Sequence, residues 1–415
     1  MQRQRAPLPA GFGAIWSCVA LDLVGFGVIL PILPIYAEDE RFGATPAVVG
    51  VLVASFSLAQ LLFAPLWGRV SDHVGRKPIL VLSLVGTALG SLITGLAGSL
   101  WLLFVGRIVD GISGASVSVA QAAVADVAAP DQRARLLGLL GAAFGLGFVA
   151  GPAIGALAVL GGKHVPFLLV AVIAGANAIV AWRRLPETRG PRGARHPEGG
   201  PEATVALVGA PSSSAVPAPS AGTGERAGAW LYVVVAFVAL AAFSAFEATF
   251  ALFAERRLGL RLVSIYGLFA AVGVLITLVQ VGLVHPCVRR LGEQGTLRLG
   301  LLLNAVGLVV LAGVRSWPPL AAALVLLTTG QGLVTPALSS LVAGRAAAER
   351  RGSALGLQQA AGGLARVVGP LAGGVLFQFA GAAVPFLCGA ALLAGTAVLL
   401  TSPPASVRAE APAAP

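Results

Sequence analysis

Charge is what this chain has least of: Asp, Glu, Lys and Arg make up 11% of its 415 residues, where a soluble protein carries about a quarter. With 57% of the residues hydrophobic, the chain cannot cover a water-soluble core of that size with polar surface. Cysteine is limited to Cys18, Cys287 and Cys388, scattered without paired spacing, which excludes a disulfide framework. The histidines are not clustered, so no metal site is expected. No nucleophile with a matching base and no nucleotide loop can be found, so neither an enzyme nor a cofactor is expected.

What is present is uninterrupted apolar length. A helix needs about 20 apolar residues to cross roughly 30 Å of hydrocarbon. Phe42 to Gly68, Leu136 to Gly162, Leu262 to Val288 and Ser316 to Gly344 each lack Asp, Glu, Lys and Arg entirely and are bounded by charge. Pro78 to Gly106 is also uncharged, and the turn-rich Gly95 to Ser99 before Trp101 divides a third helix from a fourth. Gly13 to Ala37, Val165 to Trp182, Ala229 to Ala254 and Leu299 to Val314 add four more, and Ser353 to Leu400 is long enough for two. The expectation is an all-α membrane protein of twelve transmembrane helices. The basic start (Arg3, Arg5) runs into an apolar segment too long for a signal peptide, so the first helix is expected to stay attached.

The net charge of +11 points to no nucleic acid once its distribution is followed. With a cytoplasmic N-terminus, the even-numbered turns and both tails hold twenty Lys and Arg, and the opposite side holds six (Arg41, Lys163, Arg256, Arg257, Arg261, Arg315). That asymmetry predicts both termini in the cytoplasm of a multi-pass inner (plasma) membrane protein.

From Pro186 to Arg226 the composition turns to Pro, Gly, Ser, Ala and charge, which predicts a flexible cytoplasmic linker. The organisation expected is a six-helix bundle over 1–185, the linker over 186–227, a second six-helix bundle over 228–402 and a disordered tail over 403–415. The bundles are duplicates. An offset of 218 maps Gly114 onto Gly332, Arg133 onto Arg351, Gly138 onto Gly356, and Gly151-Pro152 onto Gly369-Pro370. Carriers built of such repeats bind substrate near the bilayer midplane between the halves, so the duplication itself argues for transport.

After the second helix the chain reads Gly68-Arg69-Val70-Ser71-Asp72-His73-Val74-Gly75-Arg76-Lys77-Pro78, read as a short turn of opposite charges. Pairing of Asp72 with Arg76 would make a clasp that exists in one conformation and separates in another. Asp126 is a further carboxylate for that clasp, with Arg76 or Arg135 as partner. Farther on, Gly147, Gly151, Pro152 and Gly155 form a G-x-x-x-G-P-x-x-G string. It follows no strand, so it is no dinucleotide loop; small residues four apart let two helices approach closely in lipid. Charges inside membrane helices mark ion or substrate paths, and Asp22, Arg107, Asp110, Glu247 and Arg366 are the candidates. Asp22 lies close to the midplane of the first helix, whereas Arg107 and Asp110 are three apart and can neutralise each other.

These motifs resemble those of the major facilitator superfamily. Its G-x-x-x-D-x-x-G-R-[RK] signature is matched by Gly68, Asp72, Gly75, Arg76 and Lys77, and its antiporter motif by Gly147, Gly151, Pro152 and Gly155. Gly106-Arg107-Ile108-Val109-Asp110-Gly111-Ile112-Ser113-Gly114-Ala115 is similar to its R-x-x-x-G-x-x-G-A motif, associated with proton transfer. The segment Asp22 to Gly27 before Pro31 and Pro34, and Leu185-Pro186-Glu187-Thr188, look like those of the drug/proton antiporter group that includes tetracycline exporters. The resemblance breaks at Gly90, where those exporters carry an acidic residue. It implies two pseudo-symmetric six-helix bundles, a monomer in the bilayer, and a proton gradient as the energy source. The function expected is proton-coupled efflux of a small lipophilic compound, with Asp22 and Asp110 exchanging protons. The alternative is a sugar or polar-metabolite carrier, for which Gln60, Gln121, Gln280, Asn304, Gln331, Gln358 and Gln359 speak.

Overall fold

The computed structural model describes residues 8–9, 11–188, 223–346 and 351–400, and every regular element among them is helical. Most of the expected linker (189–222) and the tail (401–415) lie outside the described residues. In chain order the helices are α1 (Phe12–Ala37), α2 (Pro46–Val74), α3 (Arg76–Gly95), α4 (Leu100–Ser113), α5 (Ser116–Val127), α6 (Pro130–Ala158) and α7 (Val165–Arg184). Then follow α8 (Thr223–Leu258), α9 (Leu262–Gly282), α10 (Val284–Ala312), α11 (Trp317–Arg345), α12 (Arg351–Phe379) and α13 (Val384–Leu399). Prolines at the first turns of α7, α11 and α13 start helices where the missing N–H costs no intrahelical bond.

Among the described residues eleven spans are long and apolar enough to cross a bilayer, with α4 and α5 counted as one span over Leu100–Val127. The twelfth, α13, is shorter, at 16 residues, because α12 runs on to Phe379 before the chain turns. The fold is the all-α, two-bundle multi-pass architecture that the sequence predicts.

The contacts divide the described chain into two compact units, one of 11–44, 55–188 and 260–273, the other of 45–54, 223–259, 274–346 and 351–400. Each of α2 and α9 therefore contributes to both units. In the first unit α1 packs on α6 and α7, and α3 on α4 and α7. In the second, α8 packs on α12 and α13, and α10 on α11 and α13. The pairing scheme is the same in both, as a duplication requires. It reaches individual positions: a Cβ on Gly86 would lie 1.7 Å from the Ser113 hydroxyl, and 218 residues on the same two positions hold Asn304 and Gln331. Those two are buried side by side on α10 and α11. In the first unit the core is an apolar cluster that joins α1 (Ile15, Val19), α3 (Leu80, Leu84), α5 (Val119, Ala123) and α6 (Leu136, Leu140).

Candidate functional site

The segment expected as a long turn is mostly helix. α2 continues through Val74 and α3 starts at Arg76, which leaves Gly75 as the only non-helical residue between them. Gly68 thus sits inside α2 with open space around it and plays no part in closing a turn. Gly75 does, at φ 112, a conformation that residues with a Cβ avoid. The charges of the motif converge on Arg76, which is 7% exposed. Its Nη1 lies 2.8 Å from Asp72 and donates to the Ser71 hydroxyl at 2.7 Å, while its Nε donates to Asp126 at 2.9 Å. Lys77 is half-buried and Arg135 exposed.

A further carboxylate completes this end. Glu187, just past α7, accepts the backbone N–H groups of Arg76 at 2.9 Å and Lys77 at 3.3 Å. The first amides of a helix have no intrahelical acceptor and carry positive partial charge, so a carboxylate there satisfies and neutralises them together. A Cβ on Gly75 would lie 2.5 Å from Glu187 Oε2, a second reason for glycine at that position. The sequence marks Glu187 only through the Leu185-Pro186-Glu187-Thr188 similarity; its partner lies more than a hundred positions away.

The fourth span, expected as one helix, breaks at Gly114 and Ala115. Such a break in hydrocarbon strands carbonyls that water cannot reach, and here three side chains take them up. Trp67 Nε1 donates to Ile112 O at 2.6 Å, Ser83 Oγ to Ser113 O and Gln60 Nε2 to Gly114 O at 2.8 Å. Gln60 is therefore committed to the break. The consequence lies on the other side of it: Ser116, the first residue of α5, donates its hydroxyl to Asp22 Oδ2. An intramembrane carboxylate thus meets the N-terminus of a half-helix, the end whose partial charge favours an anion.

Arg107 and Asp110 find each other, at 2.7 Å across one turn of α4. The guanidinium also stacks over Phe56, 4.3 Å from the ring centre, and Asp110 takes a further hydrogen bond from Thr87. Both residues are buried, at 5% and 6% exposure. Gly90 is packed against this pair. A Cβ there would lie 2.7 Å from both the Asp110 Cβ and the Gly106 carbonyl oxygen, so an acidic side chain at this position has no room.

Gly147 and Gly151 set α6 against the backbone of α1. Their Cβ atoms would fall 2.6 Å from Leu23 O and from the Gly27 Cα respectively. Gly155, the last of the motif, faces Tyr266 on the first half of α9, with its Cβ position 2.3 Å from the ring. The Tyr266 hydroxyl donates to Val28 O at 2.9 Å, fully buried within the first unit. Sequence reasoning missed Tyr266 because nothing local distinguishes it from an ordinary apolar position.

In the second unit Gly369 approaches Ala241 on α8 just as Gly151 approaches α1, its Cβ position 2.5 Å from the Ala241 carbonyl oxygen. Glu247 on α8 is half-buried and follows Phe246, whose ring makes tilted contacts with Phe250 and Phe386. Arg366, mid-way along α12, is exposed. The charges of Glu247 and Arg366 interact, with no direct ion pair between them. Among the described residues there is no group of His, Cys, Asp and Glu that could hold a metal.

The description of the major facilitator superfamily matches residues 15–297 and 283–415. The chain is 32% identical over 395 residues to the class C tetracycline resistance protein of Escherichia coli, covering 94% of this chain and 95% of that one. It is 30% identical over 445 residues to major facilitator superfamily domain-containing protein 10 of Bos taurus, covering 98% and 96%. The crystal structure of the human organic anion transporter MFSD10 (TETRAN) superposes with a TM-score of 0.68 at 26% identity, over 94% of this chain and 98% of that chain. The chain belongs to the major facilitator superfamily and is a multi-pass secondary-active transporter that works by alternating access.

Proposed function

We propose that this transporter carries a small organic anion and couples its movement to protons. The observation that carries the reading is Arg366: an exposed guanidinium at the middle of a spanning helix, near Glu247 but not ion-paired with it. A cation at that depth is kept for a pathway, since facing lipid it would be costly. It offers a planar two-donor fork to a carboxylate or sulfonate. Similarity to an organic anion transporter along nearly the whole chain supports the same substrate class.

Asp22, at the half-helix terminus with Ser116, and Glu247, beside Arg366, are the groups proposed to take up and release the coupling protons. The buried Arg107 and Asp110 neutralise each other and serve as a fixed brace of α4. Asp72, Arg76 and Asp126, with Gly68, Gly75, Lys77 and Arg135 around them, form the cytoplasmic gate. The close packing at Gly147, Gly151, Pro152 and Gly155 keeps α1, which bears Asp22, in register with α6. Both termini lie in the cytoplasm of the plasma membrane, and the two halves, 1–185 and 228–402, work as a monomer joined by the linker over 186–227.

Efflux of a lipophilic drug against protons is the second reading, favoured by the 32% identity to a tetracycline resistance protein. Proteoliposomes decide between the two. Radiolabelled aromatic carboxylates and sulfonates are expected to exchange across the membrane and to move the internal pH. Arg366→Gln should cut their flux about ten- to a hundredfold, the loss that follows from removing a hydrogen bond to a charged group. Asp22→Asn should abolish the pH signal. A pH signal evoked by tetracycline-like drugs and by none of the anions, and insensitive to Arg366→Gln, would replace the first reading with the second.

A further inference from the structure

A groove of about 280 Å³ runs between α1 and the last turns of α7, lined by Gly13, Ser17, Asn177, Val180, Ala181 and Arg184. Its inner wall reaches Cys18, one turn before Asp22 on α1, and its open side is formed by Gly13, Ser17 and Val180. At 100° per residue Gly13, Ser17 and Leu21 follow one another down one face of α1, whereas Asp22 and Phe26 occupy a different face. Gly13, Ser17 and Leu21 are exposed, and so are Ile179, Val180 and Trp182 on α7. This is the apolar flank that a spanning helix turns to lipid. The floor is Asn177, 3% exposed and donating to Cys18 O at 2.8 Å.

The chemistry of the walls selects an occupant. At about 30 Å³ per molecule the groove would hold roughly nine waters, each in need of two to four polar partners. The polar groups of the lining are Arg184 at the mouth, the Ser17 hydroxyl and the Asn177 amide, the last two already donating to Ala14 O at 3.1 Å and Cys18 O at 2.8 Å; the carbon surface is that of Gly13, Ala14, Val180, Ala181 and Leu185. A hydrocarbon chain suits such a space. The mouth, by contrast, is cationic. Arg183 and Arg184 end α7, Arg184 lines the groove, and among the described residues neither forms an ion pair with a carboxylate. Basic clusters at the membrane face of a helix attract anionic headgroups, and the exposed indole of Trp182 marks the same depth.

We propose that this groove is a binding site for one anionic phospholipid, its phosphate on Arg183 and Arg184 and an acyl chain laid along Gly13, Ser17 and Val180. The site stands apart from the substrate reading and holds whichever solute is carried.

The test is native mass spectrometry of the full chain, released from detergent with phosphatidylglycerol, phosphatidylcholine or both. Wild type is expected to retain phosphatidylglycerol in preference to phosphatidylcholine. Arg184→Gln should weaken that retention about fivefold, the factor corresponding to about 1 kcal/mol for one basic residue at a membrane surface. Ser17→Phe, which fills the groove at an exposed position and leaves both arginines intact, should lower it independently. Arg261→Gln, an exposed cation elsewhere, should change nothing. Equal retention of the two lipids, or unchanged phosphatidylglycerol retention in both Arg184→Gln and Ser17→Phe, overturns the proposal. Displacement of the lipid by excess glycerol phosphate alone also overturns it, because it would leave a free-phosphate site with no role for the chain.

Discussion

Replacing Gly151 by alanine is expected to destabilise the protein, whereas the same replacement at Gly141, ten residues earlier on the same helix, is expected to stabilise it. At Gly141 a Cβ meets nothing within 4 Å. The substitution there removes only the backbone freedom of glycine, a gain of roughly 0.5–1 kcal/mol. At Gly151 the Cβ would lie 2.6 Å from the Gly27 Cα and 2.7 Å from the Val24 carbonyl oxygen. Carbon atoms rest about 3.5–4.0 Å apart, so α6 must withdraw from α1 by roughly 1 Å. The opposing atoms are backbone, which has no rotamer to yield, and overpacking of this kind costs about 1–3 kcal/mol. The propensity gain is common to both variants and cancels, so they should differ by the overpacking cost, roughly 1–3 kcal/mol, in denaturant unfolding of the purified protein. A Gly151→Ala protein that unfolds at or beyond the midpoint of Gly141→Ala would refute the close-packing argument, and with it the role assigned to the glycine motif. Asp22 is carried on the same segment of α1, so transport should suffer in Gly151→Ala and survive in Gly141→Ala.

Further outcomes follow from the charged contacts. Arg76→Gln, which strips a buried guanidinium from Asp72, Asp126 and Ser71, should cost about 1–3 kcal/mol, below the buried-pair range because both carboxylates are partly in water. A double-mutant cycle with Asp126→Asn should give a coupling of about 1 kcal/mol; additivity would mean that the Arg76–Asp126 contact contributes nothing. Asp39, between α1 and α2, accepts a hydrogen bond at 2.9 Å from the ammonium of Lys163, between α6 and α7, which holds that carboxyl below the usual carboxylate range. A carboxyl lowered in the folded state contributes stability above its unfolded pKa of about 3.9 and loses it as pH falls through the folded value. The stability difference between wild type and Lys163→Met should therefore be a few tenths of a kcal/mol at neutral pH, since both groups are exposed, and vanish in strong acid. A difference that grows on acidification would contradict the assignment.

The spans, the duplication and the charged motif were legible because each is written in local composition. Apolar length, small residues four apart and buried charges keep their meaning whatever packs against them. Asp22 could be singled out for that reason, but its partner could not: Ser116 reaches it only because the fourth span breaks. Gly114 and Ala115 do not announce the break, which is held by Trp67, Ser83 and Gln60 from two other helices. The turn before α3 is shorter than the sequence suggests because Asp72 and the residues around it look polar enough to leave a helix, yet α2 runs on to Val74 and the Asp72–Arg76 pair closes across the single non-helical residue Gly75. Tyr266 and Glu187 act on carbonyls and amides of distant segments, and backbone groups carry no sequence signature of the partners they will find.

Glu187 also bears on how the molecule can be divided. Its carboxylate, two residues beyond Leu185, holds the first amides of α3, so the earlier half is chemically closed only once the chain has passed this point. A fragment that stops at the last residue of α7 keeps all its helices and yet leaves two amides at the head of α3 without their anion. Where the chain is cut after α7 is therefore decided by a side chain outside every helix: when the two parts are expressed together as separate polypeptides, so that 260–273 can still complete the first unit, a cut after Thr188 should assemble better than one after Arg184.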